Sequence, residues 1–219
     1  MNIENFKQYP ITFTLIAINI IVFLIPQLMV QWAEPFYQYG ALNGYWVIFK
    51  GETYRLFTSL FLHADMMHIV MNMLSLYMVG TMVEKLFSKL SYLGIYFVSG
   101  LFGSFASMFI HTEGWAVGAS GAIFGIFGAL AGFAWIHRQT MRAQFIHFMK
   151  NFGVILLLNL GIGLVFPSID MSAHVGGLIA GLVGGMLVAK NLKYLWIYLG
   201  LSFVALMAGY EYLSSIYFH

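Results

Sequence analysis

Runs of about 20 apolar residues, each closed by a short polar or Gly-rich break, recur along the whole 219-residue chain. A run of that length crosses hydrocarbon as helix, because a helix satisfies every backbone N–H and C=O within itself. Seven such runs are expected as spans, at roughly 11–30, 67–83, 92–110, 120–136, 148–166, 173–189 and 194–214. Glycines fall inside the runs at helix-packing spacing, so strands are not expected. The chain has only 10 Lys and Arg and 8 Asp and Glu, where a soluble domain of this length carries about 55 charges. With a mean hydropathy of +0.84, this excludes an ordinary soluble fold and predicts an all-α polytopic membrane protein.

The chain has no cysteine, so disulfides, thiol nucleophiles and Cys-based metal sites are excluded. Its net charge of +2, without basic clusters, gives no support for nucleic-acid binding. The first run is long for a signal peptide and lacks a small-x-small cleavage site, so it is read as a retained span. Between the first two spans, Trp32, Phe36, Tyr37, Tyr39, Tyr45, Trp46 and Phe49 suit an ordered loop lying partly among lipid headgroups. Lys7, Lys85, Lys89, Arg138, Arg142, Lys150, Lys190 and Lys193 fall on one side of the seven spans, against Lys50 and Arg55 on the other. This bias predicts a cytoplasmic N-terminus and an outside C-terminus.

Polar groups inside spans are costly, and each needs a partner or a task. His68 and Asn72 near the start of the second span, Ser120 at the start of the fourth and His174 at the start of the sixth share one depth near the outer face in this topology. Ser120 lies in a run of small residues, Gly118-Ala119-Ser120-Gly121, and His174 stands above Gly177-x-x-x-Gly181. These small stripes let span six press against the Gly121, Gly125 and Gly128 side of span four. A neutral His there can take the Ser hydroxyl proton as it attacks a carbonyl. His68 and Asn72, four residues apart, share a helical face and can donate to an oxyanion. Asp170, four residues before His174, is read as a solvated loop charge, leaving a Ser–His dyad. His111, His137 and His147 fall at span ends and are read as interfacial.

The Arg55 segment, His63-x4-His68-x3-Asn72, Gly118-Ala119-Ser120-Gly121 and Ala173-His174-x2-Gly177-x3-Gly181 occur in the order found in rhomboid intramembrane serine proteases, which this chain resembles. The resemblance reaches from about Tyr54 to Gly185. It implies a six-helix rhomboid core, residues 1–190, plus a C-terminal seventh transmembrane helix, residues 191–219. It further implies Ser120 as nucleophile, His174 as general base, and His68, Asn72 and backbone N–H near Ser120 as the oxyanion hole. Gly118, Gly121, Gly177, Gly181, His63, Arg55 and Phe124 take structural parts, and Gly80-x-x-x-Glu84 also fits the family. No metal or cofactor is implied. The partners implied are single-span membrane substrates, met in the bilayer of a bacterial inner membrane and recognised through the membrane part alone.

Two positions depart from the family pattern. Tyr54-Arg55 stands for its Trp-Arg pair, and Phe124 for a Tyr one turn after the serine. Phe124 can still stack on His174 but offers no hydroxyl. One alternative is a catalytically inactive rhomboid-like protein that binds membrane clients, against which both Ser120 and His174 argue. A transporter or channel using His63, His68 and His174 ranks last, since positions i and i+5 would face apart on a helix. A metalloprotease His-Glu-x-x-His is absent, and Gly161-Ile162-Gly163-Leu164 has Leu where an aspartyl intramembrane protease needs Asp.

Overall fold

A computed structural model describes residues 7–29, 31, 33–140, 142–143, 146–147, 150, 153–154 and 169–218. The expected fifth span, 148–166, lies almost wholly outside the described residues, as do Trp32, the 161–164 segment and His219. Among the described residues five helices are long and apolar enough to cross a membrane: α1 (Pro10–Leu28), α5 (Met66–Leu86), α6 (Lys89–Ile110), α8 (Met171–Lys190) and α9 (Tyr194–Phe218). A sixth apolar helix, α7 (Ser120–Ile136), has 17 residues. At roughly 26 Å it is shorter than the hydrocarbon layer.

The loop between α1 and α5 is ordered and largely helical, with α2 (Ala33–Gly40), α3 (Gly44–Lys50), α4 (Arg55–Thr58) and a 3₁₀ turn (Ser59–Phe61). One expectation fails here. Two strands do form, β1 (Leu42–Asn43) and β2 (Trp115–Ala116), paired antiparallel with Leu42 opposite Ala116. Two residues carry no readable alternation, so this pairing leaves no periodic trace in sequence. Asn43 locks the turn: its side chain accepts the Trp46 N–H at 3.2 Å and donates to the Glu113 carbonyl at 3.1 Å.

The core is α7, with α6 and α8 against it, and small residues set the approach. A Cβ on Gly177 would run into the Gly121 carbonyl, one on Gly181 into that of Gly125, and one on Gly185 into that of Ala129. Gly128 instead faces Leu178 and Leu182. Two helices bearing a small residue every fourth position thus meet backbone to backbone and gain dispersion contact that larger side chains would prevent.

Glu84 explains its own placement. Near the end of α5, its carboxylate accepts the N–H groups of Ile11 (2.7 Å) and Thr12 (2.9 Å) and the Thr12 hydroxyl (2.7 Å), capping α1. Gly80, one turn earlier, leaves room for Thr12 and Tyr92. Because Tyr9, the N-cap residue of α1, provides no side-chain cap, Glu84→Ala strands these donors. The variant is expected to lose about 1–3 kcal/mol of stability, read by thermal unfolding in detergent; an unchanged midpoint would contradict the capping role.

Helix α9 docks on both the bundle and the loop. Tyr198 donates to the Ala180 carbonyl at 3.2 Å, Leu213 packs with Leu42, Val47, Ile48 and Met108, and Tyr217 pairs with Thr112 at 2.8 Å.

Candidate active site

Ser120 is the first residue of α7 and half-buried, entered through Gly118 at φ 130°. An L side chain rarely adopts that conformation, and a Cβ there would meet His68 Nε2 at 2.8 Å. Gly118 is therefore glycine both for its backbone angle and for the imidazole beside it. Its N–H donates to the Ser59 carbonyl at 2.9 Å, so it is spent on holding the segment to the loop.

His68 belongs to the first turn of α5, where Asp65 caps its backbone N–H at 2.8 Å. The Ala64 N–H approaches Nδ1 at 3.5 Å, an arrangement in which Nδ1 accepts and Nε2 carries the proton facing Gly118. Asn72 follows on the same face, buried, with Nδ2 3.8 Å from the Cβ position of Gly118.

His174, 8% exposed, lies flat on Phe124, with ring centroids 4.2 Å apart and planes 9° apart. That is the stacking expected from the four-residue spacing between Ser120 and Phe124. Ser120 and His174 thus sit on adjoining turns of helices in backbone contact, and His68 and Asn72 approach Gly118, two residues before Ser120. The Ser120 hydroxyl and the imidazole are not hydrogen-bonded here, and His174 Nδ1 has no hydrogen-bond partner among the described residues. Such bonds often tighten only in the substrate complex.

His63 is fully buried and touches His68 edge to face at 5.0 Å. His63 precedes α5, so the i, i+5 spacing does not turn it away from His68 as it would within a helix. Its carbonyl accepts the Tyr37 hydroxyl at 2.5 Å, and burial, with His68 adding to it, pushes the His63 pKa down to about 4. A fixed neutral ring packed on His68 results.

Arg55 lies in the loop framework, 0% exposed. It pairs with Glu52 at 2.6 Å, donates to the Gln38 and Ala41 carbonyls at 2.7 and 2.8 Å, and lies 5.1 Å from the Trp46 ring, 5.6 Å from that of Tyr54 and 5.8 Å from that of Trp115. Trp46 and Trp115 supply the indole faces missing at Tyr54, and Trp115 joins the clamp to the strand leading to Ser120. Sequence reasoning missed both, since neither is adjacent to Arg55 in the chain.

Asp170 requires a correction as well. It is no free loop charge but the N-cap of α8, accepting the Ala173 N–H at 3.1 Å and the Ser172 hydroxyl at 2.5 Å.

The family profile described as the Rhomboid domain matches residues 50–191, which include Ser120, His174, His68, Asn72, His63 and Arg55. The chain belongs to the rhomboid family. This rhomboid is 36% identical over 176 residues to Rhomboid protease GluP of Bacillus subtilis (strain 168), covering 78% of this chain and 33% of that one. It is 36% identical over 155 residues to RHOMBOID-like protein 1 of Arabidopsis thaliana, covering 71% and 39%. With Rhomboid-like protease 1 of Toxoplasma gondii it shares 33% identity over 151 residues, covering 67% and 51%. The chain thus spans about a third to a half of the length of these relatives. As a rhomboid with five helices able to span a bilayer among its described residues, it is an integral membrane protein.

Proposed function

We propose that this rhomboid is an intramembrane serine endopeptidase that cuts single-span membrane proteins near the outer face of the membrane. Its setting is a bacterial inner membrane, with a cytoplasmic N-terminus and an outside C-terminus. Ser120 Oγ attacks the scissile carbonyl carbon while His174 takes the hydroxyl proton, then returns it to the departing amine. Water, deprotonated by the same imidazole, releases the acyl group and regenerates the serine. His68 Nε2–H, Asn72 Nδ2 and the Ser120 backbone N–H face the oxygen that becomes negative; Gly118 N–H is excluded because Ser59 holds it. The observation that supports the reading is His174 lying flat on Phe124, one turn after Ser120 on the same helix, while His68 and Asn72 approach Gly118, two residues before it.

The test separates base from oxyanion donors, because two imidazoles lie at this site. His68→Ala or Asn72→Ala is expected to lower kcat by about 10²–10³ and still label with a fluorophosphonate. His174→Ala is expected to do neither chemistry. Normal labelling of His174→Ala together with an inert His68→Ala would exchange the roles, and a wild-type protein that never labels would favour the client-binding alternative.

A further inference from the structure

Where α6 and α9 end, a cleft of about 660 Å³ opens between three segments distant in the chain, and none of the residues assigned to catalysis lines it. Tyr45 and Phe49 come from α3, Ile110 and the turn after it from the end of α6, and Tyr217 from the last turn of α9. The ring centroids of Tyr45 and Phe49 are 4.7 Å apart and those of Phe49 and Tyr217 5.9 Å apart, so the three rings make one continuous wall. Scattered aromatics are ordinary where spans meet the headgroup layer. A wall of three that shares a cleft with a carboxylate is not.

The cleft is held in shape by bonds from every side. Asn43 donates to the Glu113 carbonyl at 3.1 Å, the Tyr45 N–H donates to the Thr112 carbonyl at 3.0 Å, and the Tyr217 hydroxyl pairs with that of Thr112 at 2.8 Å. These bonds also fix the sign of the ligand. The Thr112 hydroxyl donates to the Met108 carbonyl at 3.1 Å, so in its pair with Tyr217 the threonine accepts, which leaves Tyr217 Oη as an acceptor. Glu113 lines the cleft, is exposed, and its carboxylate makes no hydrogen bond or ion pair among the described residues. A carboxylate, a free acceptor and negative ring faces together favour a cation that carries N–H groups. His111, also in the lining, has a ring N–H to offer an anion beside that cation. Ile110 is exposed and continues the cleft onto the apolar outer surface of α6.

We propose that this cleft binds the headgroup of an ethanolamine phospholipid. The primary ammonium lies against Tyr45, Phe49 and Tyr217 and donates to Glu113 and to Tyr217 Oη, the His111 N–H meets the phosphodiester, and the acyl chains run down past Ile110 into the bilayer. A choline headgroup has no N–H for either acceptor, and a glycerol headgroup has no cation for the rings. Bound there, the lipid bridges α9, α6 and the loop helix α3. The proposal stands whether or not the chain cleaves substrate.

Native mass spectrometry of the full chain in detergent, titrated with phosphatidylethanolamine, phosphatidylcholine and phosphatidylglycerol of identical short acyl chains, reads the affinity for each. Phosphatidylethanolamine is expected to bind about tenfold more tightly than phosphatidylglycerol, with phosphatidylcholine between them. Glu113→Gln keeps the shape without the charge and is expected to shrink that preference to within about twofold. Tyr45→Leu keeps apolar volume without a ring face and is expected to weaken phosphatidylethanolamine about threefold. Both side chains are exposed, so an unshifted unfolding midpoint without lipid is expected of each variant. Glycerophosphoethanolamine, the same headgroup without chains, is expected to compete only at about 100-fold higher concentration, because it buries no methylenes. Phosphatidylglycerol binding as tightly as phosphatidylethanolamine, or a preference untouched by both substitutions, would overturn the site. Phosphatidylcholine binding more tightly than phosphatidylethanolamine would overturn the primary ammonium, and equal competition by glycerophosphoethanolamine would overturn the lipid as occupant in favour of a soluble amine.

Discussion

Purified Ser120→Ala and His174→Ala are each expected to show no measurable cleavage of a single-span substrate, a fall on the order of 10⁶-fold if the two act as one unit. Neither change should unfold the protein. Ser120 contributes one half-buried hydroxyl that makes no hydrogen bond among the described residues, so its loss strands no partner. His174→Ala forfeits the stack on Phe124, worth about 0.5–1.5 kcal/mol, and leaves a small void beside it. A thermal unfolding midpoint within a few degrees of wild type, alongside absent turnover, is the expected pair of results. Substantial turnover by Ser120→Ala would refute the nucleophile. Equal but partial losses in both, with both proteins visibly destabilised, would mean that packing and not chemistry had been removed.

Gly181→Ala is expected to cost nearly all activity without touching any reacting group. A Cβ at Gly181 falls on the Gly125 carbonyl, and the colliding atoms are backbone, which cannot rotate aside. Helix α8 must back away from α7, and because His174 and Ser120 ride on those two helices, the separation reaches the dyad. Overpacking of this kind costs about 1–3 kcal/mol, and the accompanying shift carries a rate penalty of about 10²-fold. Gly200→Ala in α9 is the control. Nothing lies within 4 Å of its Cβ position, so a gain of about 0.5–1 kcal/mol in helix propensity is expected with activity unchanged. Activity and unfolding midpoint, measured on both variants, check the contrast; a wild-type Gly181→Ala would show that the close helix contact is dispensable.

Six of the seven expected spans coincide with apolar helices among the described residues, and they and the Gly stripes were legible in sequence because lipid imposes length and small residues impose approach, both acting locally along the chain. The partnership of Gly177 with Gly121 and of Gly181 with Gly125 followed from the four-residue repeat on each helix. So did the stacking of Phe124 on His174, once the two helices were paired. What escaped depends on residues far apart in the chain. Trp46 and Trp115 close on Arg55 from two directions, and the strand pair of Leu42–Asn43 with Trp115–Ala116 is too short to register as alternation. His63 is different in kind: it lies before α5 begins, so helical spacing does not govern its contact with His68.

The most direct measurement is fluorophosphonate labelling of the purified wild-type protein in detergent, followed by peptide mapping of the modified residue. One serine of this rhomboid, Ser120, is expected to carry the adduct, and labelling is expected to vanish in His174→Ala while persisting in His68→Ala and Asn72→Ala. An adduct on any other serine, or undiminished labelling of His174→Ala, would contradict the Ser120–His174 dyad.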